Sequence, residues 1–403
     1  MSGPLEGVRV LELAHWVAIP AATAILSDWG AEVIKVEDPR GGDAARGLMG
    51  MGIYPFQLEV SPSFEVDNRN KRSMSVNLQE EKGREIVYLL AKKADVFATN
   101  FEPSLLRRFS MEYETLRPLN PALIYVSLTG YGPRGPDRDR PGYDFSAYWA
   151  RSGIMAILGE PQGPPTAARP GIGDHPTSLA VAAAVSAALF ARQRTGRGQR
   201  IDMALLQCAL WQVAIDVQAA LLGETEVARV SRKAVGNPLG NHYQAGDGRW
   251  LQLIMPQADR YWASFCRAIG RQELEQDPRF SSLEKRRENS PALIAILDEV
   301  FATKTRPEWG GLLDAHGCVW GIVQTVREIA SDPQVLENQF LTPVEHPRLG
   351  KIHLVSSPGR FSETPSAIRA PAPEAGQHTE EVLVELGYSW EDIAQLKDAG
   401  AIP

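Results

Sequence analysis

Three cysteines in 403 residues, Cys208, Cys266 and Cys318, are too few, too scattered and of the wrong parity for a disulfide framework, and they show no metal-type spacing. They read as reduced thiols of a cytoplasmic protein. Basic residues are in the minority, 42 Lys and Arg against 49 Asp and Glu, and a net charge of −7 argues against a nucleic-acid partner while leaving room for a local basic pocket. Long apolar runs are missing as well. The longest, Leu179 to Ala191, is rich in alanine and falls well short of the roughly 20 residues of a membrane span. The opening Met-Ser-Gly-Pro-Leu-Glu-Gly is neither basic nor apolar enough for a signal peptide. No membrane contact is expected. Finally, no glycine lies between Leu13 and Gly30, so the turn that cradles a dinucleotide pyrophosphate cannot form, although Glu37 sits where such folds keep a ribose-binding acid.

What is present is an α/β alternation. Val8 to Leu13 and Ala31 to Glu37 are compact strands flanking a helix opened by Pro20, and the loop Ala14-His15-Trp16-Val17-Ala18-Ile19 lies at the carboxyl end of the first strand, where α/β sheets bind ligands. After an irregular stretch rich in Gly and Pro, Gly41 to Ser63, strands Ser73 to Leu78, Asp95 to Asn100 and Leu123 to Leu128 alternate with a helix over Glu80 to Lys92. This predicts a Rossmann-like, mostly parallel sheet covered by helices. Beyond Gly223 amphipathic helices dominate, with one strand at Arg249 to Met255. The length exceeds one ordinary core. The expected division is a large α/β domain over 1–221, a smaller α-rich domain over 222–332, and a return to the large domain over 333–403.

One stretch stands apart, from Gly171 to Gln199. Asp174 is flanked by Gly171 and Gly173 and precedes Pro176, a residue favoured in the first turn of a helix. There the positive end of the helix dipole stabilises a carboxylate. Two readings remain open on these residues alone: a helix cap, the commonest use of Asp at such a place, and an anionic nucleophile facing a pocket whose glycines admit a ligand and offer N–H groups to a developing oxyanion.

Several segments, taken in order, resemble the family III CoA-transferases: Pro4-Leu5-Glu6-Gly7 with Val10 to Leu13, Gly30 to Glu37, Asn70-Lys71-Arg72-Ser73, Ala94-Asp95-Val96 with Asn100-Phe101, Pro141-Gly142-Tyr143-Asp144, Gly173-Asp174, Thr195 to Gln199, and Gly376 to Thr379. The resemblance implies an interlocked, ring-like homodimer and makes Asp174 the catalytic aspartate. It implies that His15, Trp16, Val17 and Ala18 close over the thiol end of CoA and the acyl group, that Asn100, Phe101 and Arg108 meet the adenine and phosphate side, that Tyr143 lines the CoA channel, and that Asp144 stands near the reacting centre. Arg72, Lys71 and Arg46 are candidates for the CoA phosphates, because Asp38 stands where some members keep a basic residue. Gly236 to Gly240 occupies about the place of a lid. Acyl-CoA and a free acid are substrates; no tightly bound cofactor and no metal are implied. In the implied chemistry Asp174 attacks the donor thioester to give a mixed anhydride, CoA thiolate returns to form an aspartyl-CoA thioester, and the acceptor acid reverses both steps.

The same resemblance leaves two alternatives. A 2-methylacyl-CoA racemase needs two bases on opposite faces of the α-carbon, and the histidine of such enzymes is replaced here by Tyr143, with His175 as a conceivable substitute. A homologous hetero-subunit is the other. The segment Pro141 to Gly153, with Gly171 to His175, looks most like the branch acting on 2-hydroxy and aryl-propanoic acids, and Trp16, Tyr148 and Trp149 are candidates for an apolar acyl pocket.

Overall fold

Strands whose neighbouring residues are both apolar bury both faces, which calls for a parallel sheet between two helical layers. The computed structural model, which describes residues 3–52, 57–166, 168–223 and 226–403, has that arrangement. Strands β1 (Arg9–Leu13), β2 (Glu32–Glu37), β3 (Arg72–Ser75), β4 (Val96–Thr99), β5 (Ile124–Thr129) and β6 (Arg200–Ala204) form one parallel sheet in the order β3-β2-β1-β4-β5-β6. Alternate residues enter opposite cores. Val10, Val96, Ala98 and Val126 pack with the helices Ala18–Asp28 and Asp174–Thr195; Leu11, Phe97 and Tyr125 pack with Glu81–Lys93 and the closing helices Thr379–Leu386 and Trp390–Asp398.

This layer departs from the sequence reading in several elements, among them a 3-10 helix, Ala44–Met51, inside the stretch read as irregular and a helix, Pro103–Phe109, after β4. β6 is an additional edge strand, and a short helix, Pro62–Asn68, begins at the end of the stretch read as irregular. Residues 53–56 of that stretch lie outside those described. The helix opens because Ser61 Oγ accepts the Phe64 N–H and Pro62 takes the first position.

The chain forms two compact units, one of Met1–Met155, Ala167–Thr225 and Gln339–Pro403, the other of Ala156–Thr166 and Glu226–Asn338. In the second, helices Ala258–Ala268, Ser290–Phe301 and Arg306–Ala315 pack with an antiparallel sheet of His242–Gln244, Trp250–Leu253 and Trp320–Val323. The strand expected at Arg249 to Met255 is the middle one of this sheet, and its two partners are additional strands of the unit. Gly236 to Gly240 is anchored in it: Leu239 is buried in its core, and the Tyr243 hydroxyl donates to the Pro238 carbonyl at 2.8 Å.

Among the described residues no single helix is long and apolar enough to cross a membrane; the pair Leu205–Gln212 and Ala214–Gly223, bent by 76°, passes that test only jointly. The second of these is apolar yet buries none of its residues, and Trp211 and Ile215 are 83% and 86% exposed.

Candidate active site

The strand order reverses between β1 and β4, so the loops that follow them diverge and leave a crevice at the carboxyl edge of the sheet. The two loops are tied across it. The His15 N–H donates to Asn100 Oδ1 at 3.1 Å, Asn100 Nδ2 donates to the His15 carbonyl at 2.7 Å, and the rings of His15 and Phe101 lie 5.2 Å apart. Burial lowers the His15 pKa, which favours a neutral ring.

Trp16 adopts a left-handed backbone, φ 67°, a conformation costly for a bulky residue unless its surroundings impose it. The imposing group is Asp43, whose Oδ1 accepts the Trp16 N–H at 2.9 Å. Asp43 is in turn 2.8 Å from Lys35 Nζ, and Lys35 also donates to Glu12 Oε1 at 2.6 Å and to the Ala14 carbonyl at 3.0 Å. Glu12 and Lys35 face each other across β1 and β2, and Lys71 closes the group on Glu12 Oε2 at 2.8 Å. All four side chains are buried. Burial alone would raise the Glu12 pKa, but the two ammonium groups hold it at about 2. Burial pulls Lys71 down to about 8, whereas Asp43 and Glu12 more than offset burial for Lys35 and raise it. A buried ion network thus holds the loop after β1 in its strained form.

The crevice opens into a cavity of about 850 Å³, lined, among the described residues, by residues of the first unit. Its wall includes His15, Trp16, Val17, Ala18, Asn100, Phe101, Tyr143, Asp144, Asp174 and His175. Arg138 and Arg140 also line it. Arg72 and Arg108 do not belong to this wall. Arg72 pairs with Glu32, Glu381 and Glu385, and Arg108 donates to Gln79 at 2.6 Å on the exposed face of helix Pro103–Phe109. Lys71 is committed to Glu12, and Arg46 to Glu37 and the face of Phe64. Of the three aromatics expected around an acyl group, Trp16 lines the cavity, while Tyr148 and Trp149 are packed in the core.

Asp174 is not the cap of its helix. Gly173 holds that position, and among the described residues no N–H or O–H donates to the Asp174 carboxylate. Burial, then Asp144, then Asp67 push its pKa up to about 7, with His175 opposing. The glycines around it serve a different purpose from the one their sequence suggests. The N–H groups of Gly171 and Gly173 donate to Asp144 Oδ2 and Oδ1 at 2.9 and 3.1 Å, so neither is free for an oxyanion. A β-carbon on Gly173 would stand 2.2 Å from Asp144 Oδ1 and 2.5 Å from the Tyr148 ring. Gly173 is required by packing, and Gly171 by its φ of 82°. Asp144 itself opens a π-helical turn, Asp144–Ala150, and burial raises its pKa despite those two donors.

The N–H groups of Val17 and Ala18, at the start of the first helix, have no protein acceptor among the described residues, and both residues line the cavity. A carboxylate without donors and N–H groups without acceptors, on residues that line one cavity, suit nucleophilic attack on a carbonyl.

The description CoA-transferase family III matches residues 5–379. The chain belongs to that family. This family III enzyme is 34% identical over 398 residues, 99% of each chain, to a (R)-2-hydroxy-4-methylpentanoate CoA-transferase of Clostridioides difficile. It is 32% identical over 394 residues, 97% of its own length and 95% of the relative's, to a cinnamoyl-CoA:phenyllactate CoA-transferase of Clostridium sporogenes. A crystal structure of a CAIB/BAIF family protein from Brucella suis superposes with a TM-score of 0.86 at 31% identity, covering 96% of this chain and 100% of that one. The protein is an enzyme of the CoA-transferase type, and CoA thioesters are its substrates.

Sequence reasoning missed Asp67, Asp43 and the Glu12–Lys35 pair. Glu12 and Lys35 did carry a signal: each is a charge set between apolar neighbours inside a strand, Leu11 and Leu13 about Glu12 and Ile34 and Val36 about Lys35, which calls for a buried partner. Asp67 carried none.

Proposed function

We propose that the enzyme moves CoA from an acyl-CoA to a free carboxylic acid through a mixed anhydride and then a thioester on Asp174. The observation that carries this reading is the Asp174 carboxylate itself, lining the cavity without a hydrogen-bond donor among the described residues and with its pKa pushed up to about 7, which makes it a basic nucleophile. Attack on the thioester carbonyl places the oxyanion toward the N–H groups of Val17 and Ala18. CoA thiolate leaves, returns to the anhydride, and frees the donor acid; the acceptor acid then reverses both steps. Asn100 and Phe101 on the cavity wall are the candidates for the nucleotide end, and Arg138 and Arg140, which also line the cavity, replace Arg72 and Arg108 as candidates for its phosphates. Racemisation is the weaker reading, since Tyr143 is a phenol and both ring nitrogens of His175 are occupied.

The acid is proposed to be medium-sized and apolar, 2-hydroxy or aryl. Trp16, Leu48, Val66 and Leu179 give the cavity an apolar side, and the two relatives above are named for such acids. Purified enzyme given cinnamoyl-CoA and a panel of free acids, read by mass, is expected to form CoA thioesters of phenyllactate or 2-hydroxy-4-methylpentanoate faster than of oxalate. Faster transfer to oxalate sinks the substrate assignment, and loss of CoA to water alone sinks the transferase reading.

The working form is proposed to be a cytoplasmic homodimer of threaded chains, crossing near Leu222 and Asp332, with no hetero-subunit required. The apolar helix Ala214–Gly223, none of whose residues is buried and whose Ile215, Leu221 and Leu222 are exposed, supports this, because an apolar surface of that kind on a monomer is rare unless another chain covers it. Light scattering at micromolar concentration is expected to give twice the 44.2 kDa chain mass without detergent. A monomer, or a requirement for detergent, contradicts it.

A further inference from the structure

His175 follows the nucleophile in the first turn of the long helix and lines the same cavity, its side chain half-exposed there. Both of its ring nitrogens meet acceptors. Nδ1 lies 3.0 Å from the Gly171 carbonyl and Nε2 lies 3.1 Å from Asp67 Oδ1, while the Ser63 hydroxyl takes the other Asp67 oxygen at 2.9 Å. A carbonyl oxygen and a carboxylate have no proton to give, so both nitrogens must donate, and an imidazole that donates twice is a cation. Asp67 is buried completely on the helix Pro62–Asn68, which makes the pairing hard to exchange for water.

Three carboxylates surround this one ring: Asp67 on that helix, Asp144 on the π-helical turn, and Asp174 beside it; Lys71 lies behind Asp67. With Asp144 bound to Gly171 and Gly173 and His175 bound to Gly171, the loop before the nucleophile is braced from both its N–H and C=O sides. Without a local cation, Asp174 would have to ionise beside two other carboxylates.

We infer that His175 is a standing imidazolium, clamped by Asp67 and the Gly171 carbonyl, whose charge keeps Asp174 ionised for attack. It is a positioning residue that acts through charge, since neither N–H is left for substrate. The inference rests on Asp174 being the nucleophile. It also removes His175 from the bases available for proton abstraction.

The direct test is the titration of Asp174, followed by NMR in protein carrying ¹³Cγ-aspartate, its signal being the one missing from Asp174→Asn. His175→Gln keeps a donor toward Asp67 and removes the charge, so the Asp174 midpoint should rise by about one pH unit. The acid limb of kcat/KM for cinnamoyl-CoA should move with it. In Asp67→Asn the midpoint of the His175 ring should fall by a similar amount, and this variant serves if His175→Gln does not fold. An unmoved or lowered Asp174 midpoint in His175→Gln, or a neutral His175 ring in wild type at pH 7, overturns the inference. Activity retained by Asp174→Asn overturns the nucleophile reading instead, whatever the titration shows.

Discussion

Asp174→Asn is expected to lower CoA transfer by more than about 10³-fold while the fold is kept, because an amide forms neither the anhydride nor the aspartyl thioester. Stability should change in the opposite direction. The carboxyl titrates at about 7 in the folded chain against its ordinary 3.8, so between those values the native state holds a proton that the unfolded state has lost. Stability contributed by this group is therefore present below about 4 and lost as pH rises through about 7. Asparagine has no charge to bury. At pH 8 the variant should be more stable than wild type by on the order of 2 kcal/mol, and at pH 5 the gain should shrink. Urea denaturation at the two pH values measures this. A capping aspartate would show neither effect, since Asn caps a helix about as well.

Lys35→Met is expected to cost about 3–5 kcal/mol, the usual result of removing one partner from a buried ion network. Asp43 loses the ammonium group at 2.8 Å, and Glu12 keeps Lys71 alone. The sign with pH follows from Glu12. Its pKa is depressed from 4.5 to about 2, so its contribution is complete above about 4.5 and lost as pH falls toward 2. In the variant Glu12 should titrate higher, and acid unfolding should begin at higher pH. Function should follow, because Asp43 also holds the Trp16 N–H in its left-handed turn. With the pair loosened, KM for acyl-CoA should rise along with the loss of stability. Equal stability of Lys35→Met and wild type in denaturant would show that the network does not hold the loop.

How much of this was legible in the sequence depended on how local each signal is. Strands β1, β2, β4 and β5 are compact, largely buried stretches rich in apolar residues and were found within a residue or two of each end. β6 escaped because Arg-Ile-Asp-Met-Ala is a half-exposed edge strand, polar at every other position, following directly on the loop that ends the long helix. The antiparallel sheet of the second unit escaped for a different reason. Trp320–Val323 pairs with Trp250–Leu253 across the intervening helices, and nothing in a short window records such a partner. At the site, the resemblance picked out residues that the fold does gather, from His15 to Ala18 and from Asn100 to Asp174. It did not separate Arg72 and Arg108, which lie on outer faces, from the arginines at the cavity wall. Asp174 shows the limit most clearly. Its neighbours in sequence made a cap the ordinary reading, and only the placement of Asp144 and Asp67, 30 and 107 residues earlier in the chain, turns it into a carboxylate under electrostatic load.

The central claim is a covalent bond to Asp174, and trapping tests it most directly. Wild-type enzyme is incubated with cinnamoyl-CoA, quenched with hydroxylamine, digested, and read by mass spectrometry. The account predicts a hydroxamate on the peptide containing Asp174 and none in enzyme that never met acyl-CoA. A hydroxamate found only on another carboxylate such as Asp144, or CoA transfer with no labelled peptide at all, would contradict it.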